Sequence, residues 1–278
     1  MITDKETNTL YVSSLLQTKY VSFHKRFVET LNKNGIAINY LRNTKDIWCR
    51  DFMPIQRSEK TFVQFQYEPI YLKGYEHLKS NPKEVWKDLG INVVQRNLVL
   101  DGGNVVKWDN TIVVTDRVYK DNPDWNETEI CNELKAQLAV EKVIIIPEPK
   151  DDMTGHSDGI LRFIKEDIVV INDFSKIDKE YYLRLKHSLL SEGIQYIEIP
   201  NEYEKNKSKT DDTSDHINFL EMENLVLVPK YGIKTDEVAM NIYSELFNGK
   251  KVDFIDCRGI AKQGGVLNCI TWNIKNKT

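Results

Sequence analysis

At 278 residues the chain has room for one large domain or two ordinary ones, and 41% hydrophobic with 29% charged residues is the composition of a globular protein, not a disordered one. A formal charge of −4 excludes the broadly basic face of a general nucleic-acid binder and suits a small cationic ligand. No apolar run approaches the length of a membrane span, no basic-then-apolar leader opens the chain, and Cys49, Cys131, Cys257 and Cys269 form no C-x-x-C pair. The expectation is therefore a cytoplasmic protein with free thiols, no membrane contact and no structural metal.

The first thirty or so residues, through Leu31, carry apolar side chains at mixed helical spacing and read as a helix ended by Asn34-Gly35. Residues 36–41 are a strand candidate, and 61–67 alternate with period two, as a half-exposed strand would. A lysine-rich polar connection follows. Beyond Val93 a pattern repeats: two short apolar strands joined by a tight polar turn, at 105–115, 160–171 and 217–228. The second strands begin at Ile112, Ile168 and Leu225, which are 56 and 57 residues apart. Each hairpin leads into a helix-like stretch (125–138, 179–191, 235–246) and then a short apolar strand (142–146, 194–199, 251–255). With the less regular N-terminal segment and the C-terminal strand, about five such ββαβ units can close into a ring around a central pocket, the alternative being a long open mixed sheet. The polar tract 201–215 reads as a loop, either a solvated connector or a lid.

Polar clusters adjoin the strands of these units. Trp48-Cys49-Arg50-Asp51 precedes Pro54, Leu100-Asp101-Gly102-Gly103 runs from an apolar strand into a glycine pair, and Gly155-His156-Ser157-Asp158-Gly159 enters the second hairpin. Asn218 heads the third hairpin, and Gly264-Gly265-Val266-Leu267-Asn268-Cys269 lies near the C-terminus. Each has a bland alternative: a surface carboxylate for Asp51, turn chemistry for Asp101, a satisfied strand-end amide for Asn218, a small core filler for Cys269. On an extended backbone His156 and Asp158, two apart, project from one face. Taken together, a thiol nucleophile, a histidine able to shuttle protons and several carboxylates call for a ligand that is both cationic and electrophilic at carbon. A guanidinium meets both demands, being planar, bound by carboxylates in bidentate fashion and open to attack at its central carbon.

These motifs, in this order, resemble those of the agmatine deiminase and bacterial peptidylarginine deiminase family of guanidino-group-modifying enzymes, over about residues 41–272. The resemblance implies a five-bladed α/β propeller (pentein), making residues 1–278 one domain, and a deiminase needing no metal or organic cofactor. By position it implies Cys269 as nucleophile, His156 as general acid/base and Asp101 as the group that orients His156. Asp51 and Asp158 would grip the guanidinium and Asn218 would add a polar contact. Apart from the resemblance, Trp48 and the 201–215 loop are the candidates for reading the rest of the substrate. Agmatine is the first expected substrate. Alternatives are another guanidine (arginine or peptidyl-arginine), an amidinotransferase that passes the covalent intermediate to an amine, and a propeller that binds without chemistry. The chain departs from the family pattern at Asp101, where glutamate is common, at Asn268, where a histidine often precedes the nucleophile, and at Asp215-His216, where serine and tyrosine are common. Oligomeric state is left open, a homo-oligomer included.

Overall fold

The computed structural model describes residues 1–150, 152–201 and 215–276. The chain begins with β1 (Thr9–Ser13), a helix α1 (Val21–Lys33) whose buried stripe is Phe23, Phe27 and Leu31, and β2 (Ile38–Leu41). Next come β3 (Ile55–Ser58), β4 (Thr61–Gln66) and β5 (Asn92–Val99). The repeating units then follow: β6 (Val106–Trp108), β7 (Thr111–Thr115), α2 (Glu127–Leu138) and β8 (Lys142–Ile146). Then β9 (Leu161–Lys165), β10 (Ile168–Asn172), α3 (Lys179–Ser191) and β11 (Gln195–Ile199). Last are β12 (Leu220–Glu221), β13 (Leu225–Lys230), α4 (Thr235–Leu246), β14 (Lys251–Asp256) and β15 (Thr271–Ile274).

These strands form five three-stranded sheets: β3-β4-β5, β6-β7-β8, β9-β10-β11, β12-β13-β14 and β15-β1-β2. In every one the first strand is antiparallel to the second and the second parallel to the third. A hairpin supplies the antiparallel pair in four blades and the two ends of the chain supply it in the fifth, β15 with β1; the parallel pair needs a crossover, which α1 to α4 provide in four of the blades. Each buried cluster lies where two neighbouring blades meet. Phe163 and Ile171 of β9 and β10 pack with Val113 and Ile144 of β7 and β8. Leu10 and Val12 of β1 pack with Leu225 and Leu227 of β13, closing the ring between the two ends of the chain. The fold is a five-bladed α/β propeller.

Two readings are corrected. Residues 9–13 form a strand, not the start of a helix, because β1 finds its antiparallel partner β15 at the far end of the chain. The alternating stretch at 61–67 is not half-exposed: Phe62, Val63, Gln64 and Phe65 are all buried, since the middle strand of a blade is covered on both faces. The tract read as connector or lid lies, over 202–214, outside the described residues. Among the described residues no helix is long and apolar enough to cross a membrane.

Asp4 is planted among cations carried on, or just ahead of, the first strands of three blades. Its carboxylate lies 2.9 Å from Arg162 on β9, 3.3 Å from Lys107 on β6 and 3.8 Å from Arg50, all well buried. Burial opposes the charge of Asp4, but Lys107, Arg50 and Arg162 outweigh it and hold the carboxyl far below the ordinary aspartate range. A depressed folded-state pKa contributes stability that is present above the unfolded value of about 3.9 and is lost as pH falls below it. Asp4→Asn, which leaves three buried cations short of their counter-ion, is expected to destabilise the protein by about 3 kcal/mol at neutral pH. Urea unfolding checks this, and a loss below about 0.5 kcal/mol would show that the cations find other partners.

Candidate active site

One structural rule places every candidate residue. Asp51 sits in a helical turn, Cys49–Phe52, just ahead of β3. Asp101 caps the turn Gly102–Asn104 ahead of β6. His156 caps, and Asp158 occupies, the turn Ser157–Gly159 ahead of β9. Asn218 precedes β12 and Cys269 precedes β15. The sequence spreads them from residue 51 to residue 269, yet each stands at the N-terminal end of the first strand of its blade, and the ring gathers those ends at one mouth.

The turns are tight because they must be. A Cβ on Gly102 would fall 2.1 Å from the carbonyl oxygen of Arg50, and one on Gly103 would fall 2.5 Å from both Asp51 Oδ1 and His156 Nδ1. The amide oxygen of Asn104 accepts from the backbone N–H groups of Thr115 (2.9 Å) and Ser157 (3.2 Å), tying the Asp101 turn to the His156 turn. Arg50 does the same on the other side, donating its backbone N–H to the Cys269 carbonyl at 3.1 Å. The expectation that His156 and Asp158 share a face of an extended segment is corrected: residues 157–159 form a 3-10 turn, so the two side chains reach the site on different sides.

His156 lies between two carboxylates, with Nε2 3.1 Å from Asp101 Oδ2 and Nδ1 3.4 Å from Asp51 Oδ1. Tyr71 donates its hydroxyl to the same Asp101 oxygen at 2.9 Å and sets its ring edge-on to the imidazole. On the opposite side, Asn218 Nδ2 is 3.2 Å from Cys269 Sγ, while its Oδ1 accepts from the N–H groups of Asn268 (2.9 Å) and Cys269 (3.3 Å). Asp158 Oδ2 accepts from Asn268 Nδ2 at 2.6 Å and stands 3.8 Å from Cys269 Sγ. Trp48 closes this side: a Cβ on Gly265 would meet its ring at 2.8 Å and Cys269 Cβ at 3.2 Å. All seven residues singled out from the sequence thus come together, Trp48 at the edge. Tyr71 was missed, being one tyrosine in an irregular polar connection with no periodicity to mark it.

The electrostatics show what the site lacks. Burial pushes the Cys269 thiol well above its ordinary range, and the charges of Asp158 and Asp51 push it further. Burial opposes a charged His156, but Asp51 and the bond to Asp101 overcome it and hold the imidazole up at about 10. Asp51 is raised by its burial, then by Asp101 and Asp158, against the pull of His156. Asp51 Oδ1 and Asn268 Oδ1 are buried without a hydrogen-bond donor among the described residues. Several anionic or acceptor groups crowd a half-buried thiol, and each would be relieved by a ligand that brings positive charge and N–H donors. Among the described residues no group of three His, Cys, Asp or Glu side chains is arranged to hold a metal ion.

Comparison with known proteins agrees with this picture. The sequence model of the Porphyromonas-type peptidyl-arginine deiminase family matches residues 1–274. A Marinomonas protein named "Putative agmatine deiminase" is 28% identical over 220 residues, covering 68% of this chain and 60% of its own length. Among solved structures, the substrate-bound agmatine deiminase of C. jejuni superposes with a TM-score of 0.82 at 18% identity, over 99% of this chain and 96% of the other. The agmatine deiminase of Enterococcus faecalis gives 0.77 at 16% identity, over 100% and 96%. At such identities the structural likeness establishes the fold.

Proposed function

The chain belongs to the Porphyromonas-type peptidyl-arginine deiminase family, and from that premise we propose that it hydrolyses the guanidino group of a small cationic substrate. The first candidate is agmatine, giving N-carbamoylputrescine and ammonia. The observation that carries this reading is the pairing of a half-buried thiol with under-satisfied acceptors: Asp158 stands 3.8 Å from Cys269 Sγ, and Asp51 Oδ1 and Asn268 Oδ1 make no hydrogen bond among the described residues. A guanidinium held there by Asp51 and Asp158 would present its central carbon to the sulfur and its N–H groups to those oxygens.

In this mechanism the Cys269 thiolate forms a C–S bond and the guanidinium becomes a tetrahedral adduct. His156, held protonated by Asp101 and Asp51, gives its proton to one nitrogen as that C–N bond breaks, releasing ammonia and leaving a thiouronium on the cysteine. Neutral His156 then takes a proton from water, which adds to the same carbon; the C–S bond breaks and a ureido product leaves. Asn218, 3.2 Å from Sγ, steadies the thiolate. Asp101, anchored by Tyr71, keeps the imidazole aimed. Residues 1–278 would act as one unit in the cytoplasm, a placement supported by all four cysteines being free.

The test is a product assay with purified protein and agmatine, arginine and a blocked peptidyl-arginine in parallel, following ammonia and ureido product. Release of both from agmatine is the expected result. Amidine transfer to an added amine, without ammonia, would replace hydrolysis by the transferase reading. No product from any of them, with no adduct on Cys269, would remove the enzyme reading altogether.

Gly103→Ala tests how closely the groups must be packed. Its new methyl would lie 2.5 Å from both Asp51 and His156, so it must drive them apart. Displacement of reacting groups by about 1 Å is worth about 100-fold, and a loss of that size in kcat/KM is expected. Unchanged kinetics in a folded variant would show that Asp51 and His156 need not be neighbours.

A further inference from the structure

The site contains one carboxylate that the mechanism does not use. Asp215 lies three residues before Asn218, whose N–H reaches the Asp215 carbonyl at 3.4 Å. Its Oδ1 accepts from two neutral donors, Asn172 Nδ2 at 3.2 Å and the Ile217 N–H at 3.1 Å. Its Oδ2 is 3.5 Å from where a Cβ on Gly159 would lie, and Gly159 directly follows Asp158. Because Gly159 has no side chain, nothing on that residue separates the Asp158 carboxylate from that of Asp215. The Asn172 amide also donates to the Gly159 carbonyl at 3.1 Å, so one side chain fixes the Asp158 turn and Asp215 together. Tyr231 holds the Asp215 carbonyl at 2.9 Å, and the next residue is anchored by the buried His216–Asp236 pair at 2.8 Å.

The placement is rigid, and it is partly open. Asp215, Gly159, Cys269, Gly265 and Trp48 are all half-buried, whereas Asp158, Ser157, Asn218 and Asn268 are buried. The guanidinium of the proposed substrate already has Asp51 and Asp158, and Asp101 is committed to His156. Asp215 therefore offers a further carboxylate beside the guanidinium site, near enough that its charge joins those of Asp158 and Asp51 in raising the Cys269 thiol. Burial, and then the charge of Asp158, push its carboxyl up to about 7 against the bond from Asn172, so a cation beside it would relieve a real repulsion.

We infer that Asp215 is a specificity-determining residue that selects guanidines whose short tail carries a second positive charge and no carboxylate. This rests on the deiminase reading above and narrows its substrate class. Both oxygens of the Asp215 carboxylate would serve: Oδ1 keeps the side chain in place through Asn172 and Ile217, and Oδ2 meets the cation.

The experiment compares agmatine, n-butylguanidine, which has the same tail length without the ammonium, and arginine, whose ammonium is accompanied by a carboxylate. Rates are measured for the natural protein and for Asp215→Asn and Asp215→Ser. Asparagine retains an oxygen for the Asn172 and Ile217 donors while removing the charge, and serine gives a second, smaller neutral side chain. Any effect of Asp215 on the thiol or on the guanidinium is common to agmatine and butylguanidine and cancels in their ratio. The agmatine to butylguanidine ratio of kcat/KM is expected to fall by about tenfold or more in both variants, mostly through KM for agmatine, while arginine gains relative to agmatine. Equal losses on agmatine and butylguanidine would overturn the inference and leave Asp215 a structural carboxylate. Turnover of a blocked peptidyl-arginine but of none of the three would overturn this inference and leave the deiminase reading standing, whereas no turnover of any guanidine and no adduct on Cys269 would remove both.

Discussion

Cys269→Ala is expected to lower guanidine turnover by about 10,000-fold or more while the protein stays folded and still binds substrate. The substitution removes one sulfur from a half-buried position at the pocket wall, so little packing is lost. The bonds that shape the loop persist, because Asn218 Oδ1 accepts from the backbone N–H groups of Asn268 and Cys269, not from the thiol. Asp51 and Asp158 remain to hold the guanidinium, and the variant's dissociation constant for agmatine should stay within about tenfold of the natural protein's KM. Ammonia release, far-ultraviolet circular dichroism and calorimetric binding of agmatine together read these three consequences. Turnover above about one per cent in a folded Cys269→Ala variant would take the nucleophile role from this residue.

Much of the fold was legible because local signals and tertiary structure agree. Helices α3 and α4 cover the stretches read as helix-like, and α2 begins two residues later, at an Asn126 cap that accepts from the Glu129 N–H. The even spacing of the hairpins announced the ring, since identical blades need identical lengths of chain. What failed was non-local. Thr9–Ser13 carries its strand identity in its pairing with β15, and no window around residue 9 contains that partner. The burial of 61–67 was underestimated for the same reason: alternation describes one covered face, and the second face is covered by residues distant in sequence.

The site was legible to the degree that its residues carry unusual neighbours. Asp101 and His156 stand beside glycines that the close approach demands, and a Cβ at Gly103 would occupy their meeting place. Tyr71 has no such neighbour. Its place in the site follows only from a hydroxyl that donates to Asp101 at 2.9 Å. Asn268, where a histidine was expected, donates to Asp158 at 2.6 Å and cannot itself change charge, whereas His156 is the imidazole in contact with Asp101 and Asp51.

His156→Gln is accordingly expected to lower kcat by about 100- to 10,000-fold, the usual contribution of a positioned acid/base, with a different signature from loss of the thiol. Cys269 remains, so the variant should still form the covalent adduct slowly, and intact mass should show thiouronium accumulating because water is no longer activated. The pH profile of the natural protein follows from the free site, where burial and the carboxylates keep the proton on Cys269 and hold His156 protonated up to about 10. A cationic substrate must therefore displace a proton when it enters. A group whose pKa lies above the working pH releases its proton more readily as pH rises, so kcat/KM should climb across pH 6 to about 9 and fall once His156 discharges near 10. The same logic separates two alkylating agents: neutral iodoacetamide should label Cys269 poorly at neutral pH and faster as pH rises, whereas a cationic haloacetamidine, whose charge stabilises the thiolate, should label it at neutral pH. A kcat/KM profile that falls through pH 6.5, the ordinary imidazole value, or equal labelling by both agents at pH 7, would show that the carboxylates do not govern this thiol and imidazole.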